Sequence, residues 1–207
     1  MTESARRSHW ENVYSTKRDT EVSWFEEYPA TSCELIRATG VGPDAAIIDI
    51  GGGASHLADA LLAQGFRDIT VLDLSDQALA VSQARLGARA ADVHWLATDV
   101  TKWEPKRGYD VWHDRAAFHF LTEAADRAAY AQRVASAVRP GGHVIIGTFA
   151  PEGPERCSGL PVMRHDAASL SVMLGSAFTL VESRAYDHPT PAGAVQRFQF
   201  SRFRREG

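Results

Sequence analysis

The sequence predicts an α/β fold in which a doubly wound, mostly parallel sheet carries helices on both faces. From position 45 onward, short apolar runs alternate with segments in which apolar residues recur at helical spacing. A glycine-rich turn follows the first of these runs, at the place where such folds open a ligand crevice. Near the C-terminus, two strand-like runs are separated only by a short loop rich in proline and glycine, which predicts an antiparallel hairpin at one sheet edge.

The individual elements follow in chain order. The apolar run 45–50 is typical of a buried strand, and the helix after it ends at Gly65. The next strand ends at Asp73, and Ser75 is placed to cap the following helix. A helix over 126–138 stops before Pro140, because proline cannot continue it. The predicted strands are 45–50, 68–73, 93–96, 109–113, 142–149, 178–183 and 195–201.

Length and composition fit one domain. The chain has 207 residues, of which 44% are hydrophobic, enough for a sizeable core. No repeat or long linker divides it, so we expect one domain over 1–207, with 1–44 as an N-terminal lid or helical segment and 45–207 as the ligand-binding core. A net charge of −4 without a long basic block gives no footprint for nucleic acid or an anionic membrane, and we expect neither as a partner.

Cysteine usage and the N-terminus indicate a compartment. Cys33 and Cys157 are too far apart for a metal-binding pair and too few for a disulfide framework. The N-terminus lacks the apolar core of a secretory signal, and no run of about 18 apolar residues could cross a bilayer. The sequence therefore predicts a cytoplasmic protein that uses no metal.

The glycine-rich turn carries the main functional signal. Gly51 and Gly53 allow close approach of a ligand to the backbone, and Asp73 lies 24 residues after Asp49, where such folds place a ribose-binding carboxylate. A dinucleotide fingerprint requires a third glycine at position 56, which is His56, so NAD is disfavoured. Asp49 would accept from an ammonium group but repel a phosphate, which favours a nucleoside joined to a zwitterion. Its alternative role is to hold the turn or cap the next helix.

Over 45–149 the sequence resembles the class I S-adenosylmethionine-dependent methyltransferases, which have a Rossmann-like fold. The resemblance lies in an acid followed by spaced glycines, with Ser55 replacing the last glycine of the family pattern. It implies S-adenosylmethionine as cofactor, S-adenosylhomocysteine as product, and the strand order 3-2-1-4-5-7-6 with an antiparallel last strand. It places Asp73 on the ribose, Asp99 on the adenine amine, and Leu74 and Val100 on the adenine faces. The cofactor-binding residues implied are Asp49, Gly51, Gly53, Ser55, Asp73, Leu74, Asp99, Val100 and His113.

The N-terminal run 9–14, with 22–25 behind it, resembles the lid of several small bacterial methyltransferases and some protein-lysine methyltransferases. Trp10 and Tyr14 are four residues apart and would share one helix face, where they could contact the sulfonium of the cofactor through cation–π attraction. The alternative is ordinary packing of an N-terminal helix on the sheet.

Three residues after the fourth strand are candidates for the chemistry. Asp114, Arg115 and His119 fall where an acceptor should meet the methyl group, and His119 could take a proton near neutral pH. The alternatives are a structural ion pair between Asp114 and Arg115, and a core histidine at His119. Methyl transfer can also proceed by alignment alone when the nucleophile is already deprotonated.

The acceptor is expected to be a small molecule, because only about 45 residues precede the core and no large substrate domain follows it. A protein lysine is the alternative, although Arg115 and Ala116 depart from the D-K-G-x-[FY] segment of some protein-lysine methyltransferases. A non-catalytic module that binds S-adenosylmethionine or S-adenosylhomocysteine is a third possibility. Room for an acceptor beside the methyl group would distinguish an enzyme from that module. The sequence leaves the oligomeric state open.

Overall fold

A seven-stranded mixed sheet organises the chain, in a computed structural model that describes residues 3–207. Five strands are parallel, and the last antiparallel pair extends one edge. The strands are β1 Ala46–Ile50, β2 Asp68–Asp73, β3 Val93–Ala97, β4 Tyr109–Arg115, β5 Val138–Phe149, β6 Arg156–Cys157, β7 Leu160–Pro161, β8 Phe178–Pro189 and β9 Val195–Arg205.

The strand order is β3-β2-β1-β4-β5-β9-β8, with β6 and β7 forming a separate two-stranded hairpin. Leaving that hairpin out of the count gives the predicted order 3-2-1-4-5-7-6, which is confirmed. Six α-helices accompany the strands in the described part of the chain. They are α1 Glu3–Thr16, α2 Ala30–Arg37, α3 Leu57–Ala63, α4 Asp76–Leu86, α5 Ala124–Ala137 and α6 Ala167–Leu174.

The core lies in two layers, one on each face of the sheet. All five residues of β1 are buried, and neighbouring positions alternate between the layers: Ile47 packs with α2 and α3, and Ile48 packs with α5 and α6. Helix coverage on both faces explains why β1 is buried along its whole length. The predicted doubly wound α/β class is confirmed.

Several boundaries differ from those predicted. Strand β5 begins at Val138 rather than 142, and its pairing with β4 is irregular near Tyr109. Gly141 has a φ of +79°, which glycine adopts without strain, so the chain continues into the strand where a helix end and turn were expected. Helices α2 and α6 and the hairpin β6–β7 were not predicted, because their short apolar patterns do not distinguish helix from loop.

Residues 3–207 contain no helix that is both long and apolar enough to cross a membrane.

Candidate active site

A cavity opens at the carboxyl ends of β1, β2, β3 and β4, and α1 covers it. It encloses about 790 Å³ of empty space, part of which is open to solvent. Its position agrees with the rule that ligands bind beyond the carboxyl ends of parallel strands. The lining comes from α1, from the strand ends and from the segment after β4: Arg6, Trp10, Tyr14, Trp24, Ile50, Gly51, Leu72, Asp73, Leu74, Thr98, Asp99, Val100, Arg115, Ala116, Ala117, Phe120, Leu121 and Cys157.

The glycine turn forms one wall of this cavity. Gly51 has a φ of +67°, and a Cβ atom there would lie 2.5 Å from the Cβ of Ala117. A Cβ atom at Gly53 would lie 2.6 Å from Oδ2 of Asp73. Both glycines are therefore required by close backbone approach, Gly51 to the segment after β4 and Gly53 to the carboxylate at the end of β2.

Asp73 is a buried carboxylate that faces the cavity. Its Oδ1 accepts a hydrogen bond from the backbone N–H of Ser75 at 2.8 Å. Burial raises its pKa to about 6, against hydrogen bonds from the backbone of Ser75 and Gly53 that favour the ionised form. An ionised carboxylate with little access to water favours a ligand that brings hydroxyl donors to it, as a ribose does.

Asp99 connects the far end of the cavity to α1. Its Oδ1 accepts from the N–H and hydroxyl of Thr101 at 2.9 and 2.7 Å, and its Oδ2 accepts from Arg6 at 2.7 Å. Arg6 also donates to Asp126 at 2.6 Å. Burial opposes ionisation of Asp99, but the hydrogen bonds from Thr101 and Arg6 outweigh it and lower its pKa. One acceptor position on Oδ2 remains for the adenine amine that the sequence predicts there.

A second cavity adjoins the first on the other side of the glycine turn. It encloses about 560 Å³ and shares Tyr14, Trp24, Gly51 and Arg115 with the first cavity. Ser55, His56 and the α2 residue Ser32 also line it. The two cavities therefore meet at Gly51.

Three buried side chains form a hydrogen-bonded row in the second cavity. Oδ1 of Asp49 lies 2.7 Å from Nδ1 of His113, and Nε2 of His113 lies 2.9 Å from Oγ of Ser32. Oδ2 of Asp49 is buried and has no hydrogen-bond partner among the described residues. An orphaned carboxylate oxygen beside the glycine turn suits an ammonium donor, which agrees with the zwitterion predicted from sequence.

Asp114 shapes the cavity from behind it. It is fully buried and accepts from the backbone N–H groups of Ala117 and Phe118 at 3.0 and 3.1 Å, and from the hydroxyl of Tyr130 at 2.8 Å. Ala116 has a φ of +66°, uncommon for a residue with a side chain. Asp114 holds this tight turn, and the turn presents Ala116 and Ala117 to the cavity. Burial raises the pKa of Asp114 to about 6.

Arg115 and His119, the other two candidates for chemistry, lie in different surroundings. Arg115 lines both cavities and donates to the carbonyl oxygen of Trp24 at 2.8 Å. Its Nη2 also lies 3.5 Å from Glu26, so it does not form the alternative ion pair with Asp114. His119 lines neither cavity. Its ring is fully buried, neither nitrogen has a hydrogen-bond partner among the described residues, and burial lowers its pKa to about 3.

Helix α1 is fixed over the cavity at several points. The Glu11 carboxylate accepts from the backbone N–H groups of Asp76 and Gln77 at 2.8 and 3.2 Å, at the N-terminus of α4. His9 contacts the hydroxyl of Ser158 in the β6–β7 hairpin at 3.3 Å. The rings of Trp10 and Tyr14 both line the first cavity, with centroids 6.4 Å apart. The N-terminal segment 3–16 therefore covers the first cavity, and its role as a lid stays a prediction.

Most predicted site residues come together around the two cavities. Gly53, Asp114 and His119 line neither one. The predicted residues that line a cavity are Trp10, Tyr14, Asp49, Gly51, Ser55, Asp73, Leu74, Asp99, Val100, His113 and Arg115. Sequence reasoning missed Arg6, Glu26 and Ser32, because no local motif marks them.

The side chains around the two cavities are compatible with S-adenosylmethionine. Asp73 suits ribose hydroxyls, Leu74 and Val100 suit the faces of the adenine, and the orphaned oxygen of Asp49 suits the ammonium group. The start of α3 also lacks the third glycine of the dinucleotide fingerprint, because position 56 is His56. No group of three or more potential metal-ligating side chains occurs within residues 3–207.

Fold and site together define a Rossmann-like domain with a ligand channel at the carboxyl ends of its central strands. Residues 47–142 match the family described as a methyltransferase domain. This match covers 96 of the 207 residues and, together with the fold, identifies a methyltransferase domain of the class I, S-adenosylmethionine-dependent type, whose cofactor is S-adenosylmethionine.

Two solved structures share the fold. The N-methyltransferase NodS from Bradyrhizobium japonicum, in complex with S-adenosylhomocysteine, is 18% identical with a TM-score of 0.74 over 97% of this chain and 98% of that chain. The 1,6-didemethyltoxoflavin-N1-methyltransferase of Burkholderia thailandensis, with bound 1,6-didemethyltoxoflavin and S-adenosylhomocysteine, is 21% identical with a TM-score of 0.68 over 99% of this chain and 85% of that chain.

One curated relative is similar over a shorter region. An eEF1A lysine and N-terminal methyltransferase from Mus musculus is 27% identical over 96 residues, 46% of this chain. The match spans 14% of that relative's length.

Proposed function

We propose that this protein transfers the methyl group of S-adenosylmethionine to a small-molecule nucleophile bound beneath α1. The observation that carries the proposal is the covered acceptor end of the first cavity. Trp10 on α1, Phe120 after β4 and Cys157 in the β6–β7 hairpin line this end. A covered end lined by these side chains suits a small ligand better than an extended protein surface.

The cavity has distinct cofactor and acceptor ends. Asp73 and Asp99 would hold the adenosine at one end, and Asp49 would hold the amino acid portion in the second cavity. The sulfonium would then lie near Gly51, where the two cavities meet. The space toward Trp10 and Phe120 remains for an acceptor, which supports an enzyme over a binding module without catalysis.

The residues of this site act by binding and positioning. When bound, S-adenosylmethionine would supply an electrophilic methyl group, and its transfer to the acceptor would leave S-adenosylhomocysteine. Trp10, Tyr14 and Trp24 exclude water and present aromatic rings to the sulfonium. Asp114 fixes the turn at Ala116 and Ala117 against which the reactants lie. His119 is sealed from the cavity, so we propose no proton transfer to it and assign the rate gain to alignment and desolvation.

A protein lysine is a second candidate, favoured by the similarity to an eEF1A lysine and N-terminal methyltransferase. A lysine side chain would have to enter beneath α1, between Trp10 and the β6–β7 hairpin. The contact of His9 with Ser158 lies across that entry.

The proposal is tested by binding first and transfer second. Calorimetric titration with S-adenosylmethionine, S-adenosylhomocysteine and NAD should show binding of the two sulfur ligands and none of NAD. Transfer of an isotopically labelled methyl group is then measured with a panel of small thiols, amines and hydroxyl compounds, and separately with a protein extract. Label in the small-molecule fraction supports the proposal. Label only in protein assigns the second candidate, and absence of binding to either sulfur ligand refutes both.

A further inference from the structure

Arg115 is a cationic group at the place where the first cavity, which is otherwise mostly apolar, meets the second. The first cavity is lined by two arginines, Arg6 and Arg115. Arg6 lies at the adenine end and is hydrogen bonded to two carboxylates, Asp99 and Asp126. Arg115 lies near Gly51, where the two cavities meet, with Trp24 and Phe120 among the other lining residues.

The guanidinium of Arg115 has unused donors. Only Nη2 has hydrogen bonds or ion-pair contacts among the described residues, to the carbonyl oxygen of Trp24 at 2.8 Å and to Glu26 at 3.5 Å. Nε is buried without a partner. A guanidinium carries five N–H donors in a fixed fork, and because Nε is inaccessible, the donors left for a ligand in the cavity are those of Nη1.

Glu26 compensates the charge of Arg115 only in part. The same Glu26 oxygen, Oε1, accepts from the hydroxyl of Tyr186 at 2.8 Å and lies 3.4 Å from Nδ1 of His188. The contact to Arg115 is the longest of the three. The stack of the guanidinium on the ring of Phe198, with 5.7 Å to the centroid, fixes the orientation of the fork.

We infer that Arg115 selects an acceptor with a flat, apolar body and an anionic group, such as an aromatic or heterocyclic carboxylate. The aromatic side chains of the cavity favour a flat, apolar acceptor. The ring centroid of Trp10 lies 4.9 Å from that of Phe120 and 5.8 Å from that of Trp24, and the rings in both pairs are near perpendicular. A planar ligand can pack on such walls, and its anionic group would take the free donors of Arg115. This inference rests on the proposed function, because it assigns the acceptor of the same site.

The test compares aromatic acids with their own amides, so that shape is constant and charge differs. Protein saturated with S-adenosylhomocysteine is titrated calorimetrically with benzoate, indole-3-acetate, quinoline-2-carboxylate and the three matching primary amides. We expect at least one acid to bind about tenfold or more tightly than its amide, as expected for a charge-assisted hydrogen bond. Arg115→Gln should remove that preference, and Arg115→Lys should retain part of it.

Two further variants, Arg67→Gln and Glu26→Gln, test the preference for acids if Arg115→Gln is unstable. Arg67→Gln removes the same charge at a side chain that is 70% exposed and lines neither cavity, and it should leave all affinities unchanged. Glu26→Gln should strengthen acid binding severalfold, because it removes the competing carboxylate.

The outcomes are distinct. No acid binding better than its amide in the wild-type protein overturns the inference, as does a preference that survives in folded Arg115→Gln. A loss of S-adenosylhomocysteine affinity in folded Arg115→Gln also overturns it, because Arg115 would then bind the cofactor carboxylate. Failure of the wild-type protein to bind S-adenosylhomocysteine at all is a failure of the proposed function itself.

Discussion

Replacing Asp73 with asparagine is expected to stabilise the ligand-free fold and to weaken cofactor binding at the same time. Asparagine keeps the shape of the side chain and removes its charge. In the folded protein burial raises the pKa of Asp73 to about 6, compared with 3.8 for an unperturbed carboxyl group. A difference of about 2 pKa units means that the charged carboxylate lowers the free energy of unfolding by about 3 kcal/mol at neutral pH.

Part of that gain is lost, because the asparagine amide cannot accept every hydrogen bond that the carboxylate receives from Ser75 and Gly53. We therefore expect Asp73→Asn to raise the free energy of unfolding by about 1–2 kcal/mol near pH 7. S-adenosylhomocysteine should bind more weakly by about 1–3 kcal/mol, since the ribose hydroxyls lose a charged acceptor.

The sign of the pH dependence follows from the raised pKa. The folded state takes up a proton at Asp73 at a higher pH than the unfolded state, so this residue adds stability as the pH falls from about 6 to 3.8. Cofactor affinity should fall over the same range, because the ribose is better held by the carboxylate. Asp73→Asn should lose the contribution of Asp73 to both dependences, while Asp114, whose pKa is also raised to about 6, still adds stability over this range.

Urea unfolding and calorimetric titration across this pH range measure both effects. Asp44→Asn is the matched control, because the Asp44 side chain is 80% exposed and its residue lines neither cavity. An Asp73→Asn protein that is less stable than the wild type, or that binds S-adenosylhomocysteine equally well, would refute this account of Asp73.

Three further predictions concern the turn, the lid and the core. Gly51→Ala should cost about 2 kcal/mol or more of stability and at least about tenfold in S-adenosylhomocysteine affinity, since it adds a Cβ 2.5 Å from Ala117 to the strain of a positive φ. The control is Gly65→Ala, because Gly65 has a φ of +91° and open space around it. It should lower the free energy of unfolding in urea by about 1–2 kcal/mol and leave S-adenosylhomocysteine affinity unchanged. Equal losses of affinity in the two variants would contradict the assignment of Gly51 to the site. Glu11→Ala should speed amide hydrogen exchange in α1 and leave exchange in β1 unchanged, because α1 loses its hydrogen bonds to the N-terminus of α4. Unchanged exchange in α1 would show that other contacts hold this helix in place. In the folded protein the pKa of His119 is about 3, below the ordinary value of 6.5, so between these values only the unfolded state takes up a proton at this residue. The free energy of unfolding therefore falls by about 1.4 kcal/mol for each pH unit below about 6.5. His119→Phe should remove this contribution and make stability depend less on pH. An unchanged slope in urea unfolding between pH 6.5 and 5 would refute that prediction.

The sequence predicts the parts of the site that are built locally. Asp49, Gly51 and Asp73 belong to two consecutive βα units, and their roles follow from the turn that joins each strand to its helix. The strand order follows in the same way, because the resemblance covers the five parallel strands and the closing hairpin lacks a helical connection.

The contacts missed by the sequence join residues far apart in the chain. Arg6 and Asp99 are separated by 93 positions, and Ser32 and His113 by 81. No periodicity relates such pairs, because they meet only after α1 and α2 pack on the sheet. The burial of His119 was also not predictable, since a histidine after a strand can face either the cavity or the core.

Arg6 on α1 limits how an adenine can contact Asp99. Asp99 is both the acid expected to bind the adenine amine and the ion-pair partner of α1. Its Oδ1 is already occupied by Thr101, so the adenine amine and Arg6 must share Oδ2. A carboxylate oxygen can accept both donors only when they approach from different directions, which restricts the adenine to one orientation while α1 is docked. If Asp99 binds the adenine as we propose, α1 not only covers the cavity but also restricts how the adenine can lie in it.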